Sequence, residues 1–348
     1  MTSRGSSPRS STPTHPKRAA CALVFTAALA AVSVASAPIV FAAVPAGELV
    51  AQGAQASIVN ATNATDRLVL LTVDSPAMGR EVPVNVMIPA DRSESRGVFY
   101  LLDGNSGQDA STNWLDPRRG NAEEFFVDKN VYAVMPVGGT GSLYSDWDSD
   151  HPKFGQTKWE TFLTEELPPL IDAQFDTNGR NVIGGISSGA QGALMLASRT
   201  PGLYTGVVGY SGCYLTEGPV GKALTDLVVL NGMANSEMMW GPQGNDNWRA
   251  HDLFRNASQL VGKKIYLSSG NGLPGPHESL DHQGIAQTVV VGGLLEAGSN
   301  LCTDQLTQAL RDAGADVTRS AQPVGVHAWP YWRDELVRSW PTVDSALR

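Results

Sequence analysis

The sequence predicts an α/β fold: a central, mostly parallel sheet with helices on both faces. Three observations carry that prediction. Short runs rich in β-branched and aromatic residues alternate with longer helix-compatible stretches. Two of those runs, "VYAVMPV" and "GVVGY", are continuously apolar, as interior strands covered on both faces must be. Finally, the strand-like "RNVIGG" passes through a glycine-serine turn directly into the small-residue run "AQGALMLASR".

In chain order the expected strands are "RLVLLTV" from Arg67, "VPVNVMI" from Val82, "GVFYLL" from Gly97, "VYAVMPV" from Val131, "NVIGG" from Asn181, "GVVGY" from Gly206 and "KIYLSS" from Lys264. The first two alternate apolar and polar residues more than the others, which suits an antiparallel edge. Helical spacing of apolar residues runs through "TKWETFLTEELPPLIDAQF" and again through "CTDQLTQALRDAG", where a glycine marks the stop. There is no internal repeat and no interdomain linker, so residues 67–348 read as a single domain.

What precedes that domain has a different composition. A Ser/Thr/Pro-rich segment with Arg9, Lys17 and Arg18 leads into an apolar run from Ala19 to about Ala43. A basic start followed by an apolar stretch is the pattern of a secretory signal peptide, assigned to residues 1–43, with cleavage after Ala37 or a few residues later. A retained membrane anchor is the alternative, because the apolar run nearly reaches spanning length. No later segment is long and apolar enough to span a bilayer, and the mature protein is expected outside the cytoplasm. Residues 44–66 are small, polar and weakly patterned, a flexible lead-in; Asn60 and Asn63 each begin an N-x-T sequon there.

Among 348 residues, 42% are apolar, enough for a sizeable core, and only 17% are charged, with a net charge of −9. After the first twenty positions there is no Lys/Arg cluster and no basic patch interleaved with aromatics, which argues against a nucleic-acid partner. Of the three cysteines, Cys21 lies in the export signal, leaving Cys213 and Cys302 as an even pair in an oxidising compartment. A disulfide between them is expected, worth roughly 4 to 5 kcal/mol on the chain-entropy model; two separate buried thiols are the alternative.

The chemistry-bearing pattern is "GGISSG". Gly185, Ser187 and Gly189 satisfy G-x-S-x-G, with a strand before and a helix after. In that setting a strained turn lifts the central hydroxyl above the sheet, and the flanking glycines let strand and helix backbones pass closely. Ser187 is therefore the expected nucleophile; a Gly-rich turn with a capping serine is the plainer reading. A serine hydroxyl is weak at neutral pH and needs a general base. His327, in "VGVHAWPYW", is the last of six histidines; His15 lies in the export signal, and His151, His251, His277 and His282 read as surface-loop residues. A carboxylate between Ser187 and His327 must hold the imidazole tautomer, and spacing leaves Asp246, Asp281, Glu296 and Asp304 open. In "FYLLDGNSGQD" the strand ends at Asp103-Gly104, so the N–H of Asn105 joins that of Ser188 as a candidate oxyanion donor. This chemistry needs neither metal nor cofactor.

Taken together, "FYLLDG", "YAVMPVGG", "LYSDW", "TKWETFLTEELP", "GISSGAQGALMLA", "MWGP", "LLEAGSN" and "HAWPYW" resemble the antigen 85 family of mycolyltransferases, in particular its corynomycolate branch. These stretches run in family order from about residue 98 to 332. The resemblance implies an α/β-hydrolase fold and a Ser-Glu-His triad moving mycolyl chains from an acyl-trehalose donor to trehalose monomycolate, envelope arabinogalactan or other envelope hydroxyls. By motif it places the triad on Ser187, Glu296 and His327, raising Glu296 above its rivals, and the oxyanion donors on Asn105 and Ser188. Asp103 falls on a sugar-contacting aspartate and Trp329 on an aromatic lining the sugar site. Asn105-Ser106 stands where many members have Leu-Arg, and Ser269 where mycobacterial-type members have cysteine. A secreted carboxylesterase or thioesterase, and a non-catalytic carbohydrate-binding relative, are the competing readings.

Overall fold

Nine strands form one sheet in the order β1-β2-β3-β5-β4-β6-β7-β8-β9. They are β1 (Ser57–Asn63), β2 (Leu68–Ser75), β3 (Arg80–Met87), β4 (Arg96–Leu102), β5 (Tyr132–Pro136), β6 (Thr177–Ile186), β7 (Tyr204–Tyr210), β8 (Lys264–Ser269) and β9 (Val317–Ala321). The computed structural model describes residues 55–107, 111–279 and 284–348, all within one compact unit, Gln52–Arg348. The expected export signal, with Cys21 and His15, lies outside the described residues, as do Asp281 and His282.

The sheet divides as its sequence patterning predicts. β1 to β3 pair antiparallel, and β3 joins β5 antiparallel. From β5 through β4, β6, β7 and β8 to β9 every pairing is parallel. Two strands were not anticipated. β9 forms the far edge, and β1 occupies part of the segment expected to be a flexible lead-in, which moves the start of the ordered fold from Arg67 back to Ser57 at least. β1 is exposed along almost its whole length, so it lacks the buried alternation that marks a strand in sequence; its order comes from the ladder with β2.

Ten helices are described: α1 (Ala122–Phe126), α2 (Trp159–Thr161), α3 (Leu167–Gln174), α4 (Ser188–Arg199), α5 (Gly218–Leu230), α6 (Ser236–Trp240), α7 (Asp246–Ala250), α8 (Ile285–Gln287), α9 (Gly293–Asp312) and α10 (Trp329–Leu347). π-helical turns at Phe162–Glu166 and Thr288–Gly292 run into α3 and α9. Alternate residues of each interior strand serve opposite faces. Val98, Tyr100 and Leu102 of β4 join a core with α3, α4 and α9, while Phe99 and Leu101 join another with α1 and α10. Mostly parallel strands covered on both faces put their C-terminal ends at one rim, where ligand sites of such folds assemble. Ser187 follows β6 at that rim.

Candidate active site

Ser187 sits between the end of β6 and the start of α4 with φ 53° and ψ −122°, a left-handed-side backbone conformation that L-residues rarely adopt. Such a conformation costs on the order of 1 to 3 kcal/mol and persists only where the surroundings impose it. Here they do. The Ser187 N–H is held by the Tyr210 carbonyl at 2.8 Å. A Cβ on Gly189 would lie 2.2 Å from the Asp103 carbonyl oxygen, and one on Gly185 2.6 Å from the Gly189 backbone. The two flanking glycines thus let β4, β6 and α4 touch backbone to backbone, and the turn between them has nowhere to relax.

His327 and Glu296 arrive from distant segments and complete a line with the serine. His327 Nε2 is 2.9 Å from Ser187 Oγ, and His327 Nδ1 is 2.8 Å from Glu296 Oε2. A carboxylate accepts only, so Nδ1 carries the proton and Nε2 presents its lone pair to the serine hydroxyl. Glu296 lies in the first turn of α9 and is 1% exposed. Its other oxygen, Oε1, accepts from Ser211 Oγ at 2.7 Å and from the Gly270 N–H at 2.6 Å. His327 is placed by its own N–H, which donates to Gly292 at 3.0 Å, immediately before α9.

Among the rival acids, Asp246 pairs with Arg249 at the surface and Asp304 with Arg319; neither hydrogen-bonds His327. Cys213 and Cys302 form a disulfide, linking the segment after β7 to α9. Ser269 donates to Asn300 of α9 and accepts from Arg319. Two histidines read as surface residues are buried instead. His151 packs against Trp147, and His251 stacks on Trp240 while bonding Ser145, Glu160 and the Asn247 carbonyl. Polar neighbours in sequence misled there: Trp147, four residues before His151, and Trp240, eleven before His251, cover the two rings only once these loops fold back.

The remaining site candidates cluster near Ser187. Gly104 runs beside it, since a Cβ there would be 3.2 Å from Ser187 Cβ. Asn105 is fixed at three points: its side chain bonds the Val228 carbonyl and the Gly141 N–H, and its carbonyl accepts from Asn231. Asp103 has no accessible surface, so a sugar could reach its carboxyl only after a rearrangement. Its Oδ2 accepts from Thr112 and the Asn113 N–H, while Oδ1 is buried without a hydrogen-bond partner among the described residues. Burial pushes this carboxyl up to about 7, against the opposing pull of those donors and of Arg119. Trp329 opens α10 and meets Trp114 and Trp332 edge to face.

Two apolar ridges lie on segments that also hold site residues. Val220, Leu227 and Leu230 of α5, with Met233 just beyond it, are exposed; so are Val290, Val291, Leu294 and Leu295 around the start of α9. The first ridge adjoins the carbonyl and side chain bonded to Asn105, and the second follows or brackets Gly292, which holds His327. Neither ridge was singled out in the sequence, where both read as ordinary apolar residues. Ser211, Gly270 and Trp332 also went unread, because nothing local distinguishes "YSG", "SGNG" or "PYW" from ordinary turn and core residues.

A nucleophile turn, a hydrogen-bonded Ser-His-Glu line and a mostly parallel sheet define an α/β-hydrolase of the acyl-ester class. Comparison with known proteins agrees. The family model described as putative esterase matches residues 75–343. Ag85A of Mycobacterium leprae, a diacylglycerol acyltransferase/mycolyltransferase, is 31% identical across 80% of this chain and 82% of its own. Ag85C of the same organism is 30% identical across 80% and 81%. Among solved structures, Mycobacterium tuberculosis MPT51 superposes with a TM-score of 0.65 at 25% identity, covering 80% of this chain and 98% of that one. An S-formylglutathione hydrolase from Agrobacterium tumefaciens shares the fold at 16% identity, with a TM-score of 0.56, over 82% and 98%. The chain belongs to the putative esterase family and, within it, to the Ag85-type mycolyltransferases.

Proposed function

We propose that the protein is an extracytoplasmic acyltransferase that moves mycolyl chains from an acyl-trehalose donor to a carbohydrate or envelope hydroxyl through an ester on Ser187. The observation that carries this reading is the unbroken line from Ser187 Oγ through both nitrogens of His327 to Glu296. In the first half-reaction Ser187 Oγ attacks the ester carbonyl as its proton passes to His327 Nε2. Glu296 stabilises the imidazolium, and the N–H groups of Asn105 and Ser188 receive the oxyanion. Collapse of the intermediate breaks the ester C–O bond, and trehalose leaves with the proton from His327. In the second half, an acceptor hydroxyl gives its proton to His327 and takes the acyl group, restoring Ser187.

The exposed apolar residues on α5 and around α9 support a long-chain acyl donor, since apolar surface on the segments bonded to Asn105 and His327 suits contact with an acyl chain. The disulfide agrees with an oxidising, extracytoplasmic location. Asp103 and Trp329 are the proposed sugar contacts, with the condition that Asp103 must first be uncovered.

The test uses purified protein, a defined acyl-trehalose and thin-layer separation of products. Ser187→Ala is expected to lower acyl transfer by roughly 10⁴-fold or more, and a wild-type rate in that variant would overturn the assignment. Appearance of diacyl-trehalose supports transfer; free acid as the sole product would make the protein an esterase on the same triad.

A further inference from the structure

The line from Ser187 to Glu296 uses only one oxygen of the acid. What holds the other is a second line entering from α10. Glu296 Oε1 accepts from Ser211 Oγ at 2.7 Å, and Ser211 Oγ in turn accepts from the indole Nε1–H of Trp332 at 3.0 Å. An indole N–H donates only, and a hydroxyl has one proton, so the Trp332 contact leaves the Ser211 proton no choice but Glu296. Gly270 N–H, at 2.6 Å, is the second donor to the same oxygen.

Trp332 also touches the base directly. Its ring meets the His327 imidazole edge to face, with centroids 5.0 Å apart and planes at 87°. One buried side chain, five residues beyond His327, therefore contacts the imidazole by packing and the carboxylate through a hydroxyl. Ser211 is held for this duty in a costly conformation, φ 55°, one of few non-glycine residues with positive φ, and its N–H is pinned to the Ser268 carbonyl at 2.8 Å.

We propose that Trp332 is a positioning residue for the His327–Glu296 pair: its N–H, through Ser211, fixes the rotation of the carboxylate, while its ring fixes the tilt of the imidazole. The proposal rests on Ser187, His327 and Glu296 forming the reacting line described above. Trp332 packs on the His327 ring but hydrogen-bonds neither His327 nor Ser187, so its loss should act on the chemical step, through the pair it holds, rather than on binding.

The experiment compares wild type, Trp332→Phe, Ser211→Ala and the double variant, with p-nitrophenyl butyrate as the acyl probe. Trp332→Phe keeps an aromatic ring against His327 and removes the N–H; Ser211→Ala leaves Trp332 in place and keeps the alternative route to the answer if the first variant folds poorly. Each single change is expected to lower kcat by about three- to tenfold or more, with KM unchanged. The double variant is expected to fall no further than the worse single one, because both changes cut the same line. The low-field proton NMR signal of His327 Nδ1–H, absent in Glu296→Gln, is expected to move in both single variants. Unchanged kcat with an unmoved signal overturns the proposal, and so does an additive loss with an unmoved signal, which would mean packing alone. Retained activity in Ser187→Ala would instead break the functional reading, while the NMR comparison still decides whether Trp332 positions the pair.

Discussion

Ser187 and Glu296 take part in one hydrogen-bonded line but are put in place by different means. Around Ser187 everything is contiguous and crowded: residues 188–198 of α4 are all buried, and Gly185 and Gly189 bring three backbones into contact. Around Glu296 the structure is sparse and held from afar. α9 follows a π-helical turn, exposes Leu294, Leu295 and Leu301, and is tied down by a disulfide, by Ser269–Asn300 and by the donors from Ser211 and Gly270. The serine is placed by steric exclusion, the acid by tethers, and substitutions in the two regions should fail differently.

The sharpest contrast comes from the same change, glycine to alanine, made once in each. Gly189→Ala puts a methyl carbon 2.2 Å from the Asp103 carbonyl, where only backbone could yield. It is expected to abolish acyl transfer or soluble expression, because separating β4 from α4 moves both Ser187 and Asn105. Gly298, in the interior of α9, has open space around its Cβ position. Gly298→Ala should leave activity intact and raise stability by about 0.5 to 1 kcal/mol through helix propensity. Thermal melts and transfer assays on the two proteins check this; equal behaviour would erase the distinction.

Cutting a tether should cost stability first. Replacing Cys213 and Cys302 together by serine removes a link across a sequence separation of 89, and a loss of about 4 kcal/mol is expected on the chain-entropy model. Urea titration of the double variant against wild type measures it. A drop in kcat should accompany the loss, since Cys213 lies two residues from Ser211 and Cys302 six residues from Glu296 on the same helix, α9.

The same contrast explains what could be read in advance. The elbow was legible because strand, glycines, serine and helix are consecutive, and a contiguous backbone feature leaves a contiguous sequence pattern. The interior strands were legible for the same reason. The acid was not: Asp246, Asp281, Glu296 and Asp304 all met the chain-order condition, and residue spacing carries no information on which helix face meets His327. The apolar segment and Gly pair before Glu296 hinted at a partly buried acid, and resemblance raised it above its rivals. β1 was missed because it is exposed on both faces, and His151 and His251 because the fold of their own loops, which brings Trp147 and Trp240 over them, leaves no periodic pattern.

Crowding near Ser187 has an electrostatic price in Asp103. Its folded-state value of about 7 stands above the ordinary carboxyl value of 3.8, owing to burial. The folded chain therefore holds a proton that the unfolded chain releases. That stabilising contribution is fully present below about pH 3.8 and is lost as pH rises through about 7, beyond which a buried charge must be tolerated. Asp103→Asn removes the charge and can direct an N–H at the site of the unpartnered Oδ1. It is expected to be more stable than wild type at pH 8 by a few kcal/mol and nearly level with it at pH 4. Denaturant curves at the two values test this, and a pH-independent difference would count against burial as the cause.

The smallest expected effect separates the two adjacent serines. Ser187 has its hydroxyl on His327 Nε2 and its backbone forced to φ 53°, whereas Ser188 opens α4 as a buried residue. If Ser188 serves through its N–H, the group that receives the oxyanion belongs to the backbone and survives truncation of the side chain. Ser188→Ala should then retain transfer within about threefold of wild type, while fluorophosphonate labelling stays on Ser187, because the helix start needs only a small residue there. A loss as deep as that of Ser187→Ala would mean that the crowded side of the site depends on a second hydroxyl, and exclusion by glycine backbones would no longer suffice to explain how the nucleophile is presented.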